Sequence, residues 1–405
     1  MKIIRIGLIR EGKVPPDKRV AFTPVQCEEI EQRYPNVKMV VQESDIRCFR
    51  DDEYRSLDIE VAKDVSHCQI LMGIKEVPID KLIPEKIYLF FSHTLKKQPY
   101  NRKLLQEILK KKITLLDYEA LKDRHGNRLV AFGRFAGIVG AYNGLLTYGK
   151  RFNLYHLRRA FETYDINDLK LELRKVSLPP IKIILTGAGR VGKGAMETLD
   201  TAGIRKVTPH DFVSRQFDEP VYVQLSSADY HRRKEGGHFN RDEFHNSPER
   251  YESFFVDYAK HADLLLAGVF WNPKAPVLFT RESMLSSDFR IKVIADITCD
   301  INGSVPSTKR ASTIVDPLYD FDPVTDSVEP PLSGGHRVTV MAIDNLPCEL
   351  PRSASEEFGR DLIDRILPML IGKDKEKVIE RATITKIGML TPHFEYLQDY
   401  VSQPA

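Results

Sequence analysis

Two groups of residues in this chain have types and spacings that do chemistry. The first is a glycine turn, Ile183-Ile184-Leu185-Thr186-Gly187-Ala188-Gly189-Arg190-Val191-Gly192-Lys193-Gly194. It reads G-x-G-x-x-G, directly after an apolar strand and before a helix expected over Lys193–Leu199. In that setting Gly187 permits the tight turn, Gly189 lets backbone approach a pyrophosphate, and Gly192 lets helix pack on strand. Arg190 and Val191 lie between them, where exposed N–H groups face an anion. The chemistry is dinucleotide binding. An acidic residue that holds the ribose hydroxyls is expected roughly 20 residues on, at the end of the next strand; Asp211 fits. Asp211 favours NAD, whereas Arg190, His210 and Arg215 suit the 2′-phosphate of NADP, so the choice stays open.

The second group is charged and sits where strands of the first half are expected to end. Arg10-Glu11-Gly12-Lys13 follows the first strand, and Arg19 follows shortly after. Lys75-Glu76 ends one apolar run, Ser92-His93-Thr94 ends the next with Lys96 and Gln98 behind it, and Asp117-Tyr118-Glu119 ends a third. Ligands of open α/β sheets bind beyond the carboxyl ends of the strands. Any one of these charges reads equally well as a solvated loop residue. Lys75, His93 and Glu119 on three successive strands read as one rim. The chemistry is acid–base work on an anionic substrate. Arg10, Lys13 and Arg19 suit carboxylates. Lys75 and His93 suit proton transfer, provided burial or nearby cations lower the lysine pKa; Glu76 or Glu119 would pull the other way.

The elements that must position these residues are legible as short apolar runs alternating with amphipathic stretches. Strands are expected over Ile3–Ile9, Val37–Val41, Gln69–Ile74, Ile87–Phe91 and Ile113–Leu116. Pro24–Tyr34 reads as a helix opened by Thr23 as N-cap and Pro24 at its first position. Tyr100–Leu109 is helical in pattern. The small residues of Ala136–Gly149 predict a tightly packed helix that bridges two domains. After a Leu-Pro-Pro boundary a second α/β unit opens with Ile181–Leu185 and continues through Asp263–Val269, Ile291–Ala295 and Arg337–Ala342. Residues 214–260, polar, charged and aromatic, read as an ordered excursion from that pattern. Ala354–Leu370 and Lys373–Thr383 read as helical.

Composition bounds the rest. The chain has 405 residues, 60 Lys and Arg against 57 Asp and Glu, and a formal net charge of +3. That length suggests two or three domains, and the near balance of charge argues against a general nucleic-acid binder. No apolar stretch approaches the ~20 residues of a membrane span, and the N-terminus does not read as a signal peptide. Five scattered cysteines (27, 48, 68, 299 and 348) show no metal spacing and read as free thiols of a cytoplasmic enzyme, with no metal site.

Taken together, these segments resemble the saccharopine dehydrogenase branch of the alanine dehydrogenase/transhydrogenase superfamily. The resemblance is carried by REGKVPPDKRVAFTP (10–24), ILMGIKEVP (70–78), FFSHTLKKQPYN (90–101), LLDYEAL (115–121), VAFGRFAGIVGA (130–141), LTGAGRVGKGA (185–195), IADITCDINGS (294–304) and VMAIDNLPCELPRSASEEFG (340–359). It is strongest to the lysine–ketoglutarate reductase domain of bifunctional lysine-degrading enzymes, then to the lysine-forming saccharopine dehydrogenase of fungi. It implies an α/β fold of two Rossmann-like domains with parallel sheets and a cleft between them. Residues 1–140 with 346–405 would bind substrate and residues 141–345 the dinucleotide. The implied reaction interconverts saccharopine with L-lysine and 2-oxoglutarate, using NAD or NADP. The resemblance makes Lys75 and His93 the acid–base pair. It makes Lys13, Arg19, Glu76, Lys96, Gln98 and Glu119 substrate-binding residues, and Asp296 a cofactor-side residue alongside Gly187, Gly189, Arg190, Val191, Gly192 and Asp211.

Two departures from the fungal pattern stand out. The 214–260 excursion is longer, with a reductase-like His245–Tyr251 segment, and the reductase domain uses NADP whereas Asp211 fits NAD. Without a further catalytic domain after residue 405, release of glutamate would need another protein. Small molecules, not nucleic acid or membrane, are the expected partners, and an oligomer is compatible with the sequence. Alanine dehydrogenase, or another amino-acid dehydrogenase of the superfamily, is the first alternative, although its usual Asn-Glu before the RVAxTP segment is replaced here by Lys-Val-Pro-Pro-Asp-Lys. A non-catalytic nucleotide-binding scaffold is the second, and the presence of Lys75 and His93 speaks against it.

Overall fold

The apolar runs become the central strands of two α/β units. The computed structural model describes residues 3–404. One unit comprises residues 3–132 and 351–404, the other residues 133–350. Each is built on an eight-stranded sheet.

In the first unit the sheet order is Met389–Leu390, Thr383–Lys386, Thr114–Asp117, Ile87–Phe90, Ile70–Met72, Ile4–Leu8, Val37–Gln42, Glu60–Ala62. The last six are parallel and the two late strands add antiparallel at one edge. Parallel strands buried on both faces need apolar residues at every position, and Ile70, Leu71 and Met72 are all buried. The strand order reverses between Ile4–Leu8 and Ile70–Met72, which makes the loops after those two strands the walls of a switch-point crevice. Helix Pro24–Arg33 starts as its sequence demands, with a capping box between Thr23 and Gln26 and Pro24 in the first turn.

In the second unit the order is Ser327–Glu329, Leu318–Asp322, Val338–Met341, Val293–Asp296, Leu264–Ala267, Lys182–Thr186, Val221–Leu225, Arg205–Val207. Again six strands are parallel, with an antiparallel pair at one edge. Helix Gly133–Arg151 falls wholly within this unit. It crosses helix Arg190–Thr201 at glycine contacts. A Cβ on Gly137 would lie 1.9 Å from the Val191 carbonyl oxygen, and one on Gly194 would lie 1.9 Å from that of Arg134. The small residues therefore serve a backbone-to-backbone approach between these two helices.

The expected parallel sheets are present, each with an antiparallel pair added at one edge. Three expectations need correction. The helix after the glycine turn begins at Arg190, not Lys193. Residues 373–383 are helical only over Val378–Ala382; the alternation Thr383-Ile384-Thr385 then forms a strand against Thr114–Asp117, with Ile384 buried. The 214–260 segment is not all excursion. Its Val221–Leu225 is a core strand beside Lys182–Thr186, disguised by polar neighbours, and the rest of the segment lies outside that sheet as short helices and a small ribbon of His231–Arg233 with Tyr251–Ser253.

Candidate active site

The loops at the switch point of the first unit hold a connected set of charges. Glu11, almost fully buried, accepts backbone N–H bonds from Ile74 at 2.6 Å and Lys75 at 2.9 Å. The loop after the first strand thus fastens the loop that carries Lys75. Burial pushes the Glu11 carboxyl up to about 8, helped by nearby Asp17 and opposed by those two N–H groups.

Lys75 is half-buried. Burial lowers its pKa below the ordinary value, and the cations Arg19 and Lys13 act in the same direction; Asp17 and Glu76 oppose them. Lowering of this kind makes the ammonium easier to deprotonate. Arg19 is buried and gripped through two nitrogens by Asp17, at 3.0 and 2.6 Å, with its guanidinium 4.1 Å from the centre of the Phe132 ring.

Glu76 links the remaining groups. Its carboxylate meets His93 Nδ1 at 2.6 Å and Lys13 Nζ at 3.3 Å, and accepts from the Asn101 amide at 3.3 Å. Burial alone would raise its pKa, but the hydrogen bond and charge of His93 override that and hold the group at about 2. An ionised carboxylate only accepts, so Nδ1 donates a proton to Glu76 and Nε2 takes no part in that bond. His93 adopts a left-handed backbone (φ 50°), a conformation that costs a non-glycine residue about 1 kcal/mol. Its neighbours hold it there. Ser92 and Thr94 are fully buried, and Ser92 donates to Asp117 from both its backbone N–H and its hydroxyl. Burial in turn pushes the Asp117 carboxyl up to about 6 against those bonds.

The glycine turn of the second unit has the shape of a phosphate cradle. Gly187 has φ 101° and packs on Gly268, where a Cβ would lie 3.0 Å from the carbonyl oxygen. A Cβ on Gly192 would lie 2.2 Å from the Gly187 carbonyl oxygen, so helix and turn touch through backbone. A Cβ on Gly189 would meet nothing within 4 Å. Gly189 is the N-cap of helix Arg190–Thr201 and offers no side-chain cap, which leaves the start of the helix uncluttered by a capping side chain. These features fit a dinucleotide pyrophosphate.

The model of the alanine dehydrogenase/PNT N-terminal domain matches residues 7–139. The mouse mitochondrial alpha-aminoadipic semialdehyde synthase is 32% identical, over 97% of this chain and 47% of its own length. The NAD(+), L-lysine-forming saccharopine dehydrogenase of Emericella nidulans is 28% identical over 92% of this chain and 93% of its own. Among solved structures, an L-alanine dehydrogenase superposes with a TM-score of 0.65 at 14% identity, covering 98% of this chain and 100% of that one. Nearly the whole chain is thus similar to the mouse and fungal enzymes, and its residues 7–139 carry the alanine dehydrogenase/PNT N-terminal domain. It spans about half the length of the mouse relative.

Against the expectations for the saccharopine dehydrogenase branch, the structure brings Lys13, Arg19, Lys75, Glu76 and His93 into one set of contacts and charges. Glu119 is bound to Arg128 at 2.8 Å, Gln98 accepts from the Tyr100 hydroxyl at 2.6 Å, and Lys96 is exposed on the same loop. In the second unit, Asp296 is buried with its carboxylate taken by the Thr298 and Thr308 hydroxyls, both at 2.6 Å, so it organises its own loop. Asp211 is not at the end of the strand beside the glycine turn. It lies in helix Pro209–Ser214 beyond the edge strand, accepting from Thr208 at 3.0 Å and pairing with Arg215 at 2.9 Å. Glu11, Asp17, Asn101 and Asp117 support the acid–base set without having been singled out from sequence. The signal for Glu11 and Asp17 was present, as acids interleaved with the basic residues of 10–19.

Proposed function

We propose that this chain is a lysine-forming saccharopine dehydrogenase, or lysine–2-oxoglutarate reductase, which interconverts saccharopine with L-lysine and 2-oxoglutarate at the expense of a nicotinamide cofactor. The observation that carries the reading is the Glu76 carboxylate joined to both His93 and Lys13, beside a Lys75 whose proton affinity burial and neighbouring cations reduce. The names of the mouse and fungal relatives supply the substrate class. The five free thiols fit a cytoplasmic setting.

In the oxidative direction neutral Lys75 takes the proton of the secondary ammonium, leaving a lone pair on nitrogen. Bound at the glycine turn, the cofactor would supply a hydride acceptor for the adjacent carbon. His93 Nε2 then takes a proton from the water that adds to the resulting imine, while Glu76 stabilises the imidazolium through Nδ1. Lys75 returns its proton to the nitrogen and then takes the hydroxyl proton as the C–N bond breaks, so the carbinolamine collapses to lysine and 2-oxoglutarate. Lys13 and Arg19 are the nearest cations for the substrate carboxylates; Arg19, fixed by Asp17, keeps its position without substrate. Lys96, Gln98 and Glu119 are assigned to the substrate's outer groups.

The test is a rate comparison with reduced cofactor. Lysine with 2-oxoglutarate should be turned over and pyruvate with ammonia should not. Turnover of the latter pair alone would make the chain an alanine dehydrogenase.

A further inference from the structure

The two sheets differ in one respect that bears on the cofactor. Numbering the six parallel strands of each unit in chain order, the first unit runs 3-2-1-4-5-6 from its edge. In the second unit the second and third strands have exchanged places, so the order is 2-3-1-4-5-6. The strand beside the glycine-turn strand is therefore Val221–Leu225, with Leu185 paired to Gln224 and Thr186 to Leu225. Arg205–Val207 is displaced to the edge.

A dinucleotide seated on a glycine turn lays its adenosine ribose over the carboxyl end of the strand next door. A carboxylate there accepts from the ribose hydroxyls of NAD; a cation there meets the 2′-phosphate of NADP. At that place stands Gln224. Its amide nitrogen donates to the Gly187 carbonyl at 3.0 Å, and its amide oxygen accepts from Lys206 Nζ at 2.8 Å. Lys206 comes from the edge strand and is exposed. One of its three N–H donors goes to Gln224 and a second makes a long 3.5 Å contact to Met196 Sδ, so the third can meet a phosphate. The nearby acids are turned elsewhere. Asp229 accepts from the Ser226 N–H at 2.6 Å and hydroxyl at 2.7 Å, capping its own short turn, and Asp211 is held by Thr208 and Arg215.

We propose that Lys206, oriented by Gln224, is the specificity residue of this cofactor site and selects dinucleotides that carry a 2′-phosphate. The strand exchange creates the selectivity. It removes the residue after the edge strand, Asp211, from the ribose position and lets a lysine from that same strand reach across to the glycine turn. This rests on reading the second unit as the dinucleotide-binding unit. Lys206 contacts the ligand; Gln224 is a positioning residue that acts through it.

Isothermal titration of the full chain with adenosine 2′,5′-bisphosphate and with 5′-AMP tests this without turnover, because the two ligands differ only in the 2′-phosphate. The wild type should bind the bisphosphate about tenfold more tightly or better, the effect of one charge-assisted contact. The advantage should shrink as salt rises. Lys206→Gln should abolish it while 5′-AMP binding is kept, and Lys206→Arg should retain most of it. Equal affinity of the wild type for both ligands, tighter binding of 5′-AMP, or an unchanged ratio in Lys206→Gln would overturn the proposal while leaving the dinucleotide reading in place. Failure to bind NADH, NADPH or either adenosine probe would overturn both.

Discussion

In the proposed reaction Lys75 and His93 make different demands on their surroundings, and Glu76 meets both. The lysine must be able to lose its proton, so it is half-buried near Arg19 and Lys13. The histidine must carry positive charge transiently, so it is bonded to a carboxylate held at about 2. Lys75→Met and His93→Gln should each lower turnover by about 10²- to 10⁴-fold, the range of general acid–base catalysis. Cofactor affinity, measured by fluorescence titration, should not change; normal turnover in both variants would mean that other groups move the protons. Glu11 gives a second prediction. Its folded-state pKa of about 8 lies above the ordinary 4.5. The stability it contributes is present in full below about pH 4.5 and is lost as pH rises through about 8. Melting temperature should therefore fall across that interval with one proton released, and Glu11→Gln should remove that component of the slope.

At the scale of elements, the glycine turn depends on the helices behind it. The 1.9 Å approach at Gly194 leaves no room for a methyl group against backbone. Gly194→Ala should push helix Arg190–Thr201 away from Gly133–Arg151 and cost roughly 1–3 kcal/mol or more. Denaturant unfolding should register this as a lower midpoint, and nucleotide affinity should fall with it, since the displaced helix carries the turn. Much of this scale was legible in the sequence. The G-x-G-x-x-G segment, the Thr23-Pro24 helix start and the run of small residues from Ala136 each state a local physical requirement. What was not legible was pairing. Val221–Leu225 is an ordinary strand sequence, but nothing local says that it displaces Arg205–Val207 from beside Lys182–Thr186. The expectation for Asp211 assumed the more common strand order. Buried acids such as Asp117 and Glu11 were obscured for a related reason, because their partners are backbone N–H groups of loops distant in sequence.

At the scale of the whole molecule, the chain leaves its first unit at residue 132 and returns to it at residue 351. The return is integral to the core. Phe358 is fully buried, stacked on Phe132 with centroids 4.4 Å apart and edge-on to Tyr118 at 5.0 Å. Phe132 in turn lies under Arg19, so the late segment supports a residue assigned to substrate carboxylates. The proposed reaction is hydride transfer at a carbon–nitrogen bond. Its most direct test is to follow the hydride. With L-lysine, 2-oxoglutarate and reduced cofactor deuterated at its transferable position, mass spectrometry should find saccharopine one deuterium heavier than normal, formed in step with cofactor oxidation. Cofactor oxidation with no labelled saccharopine, or label appearing only in alanine when pyruvate and ammonia are supplied, would contradict it.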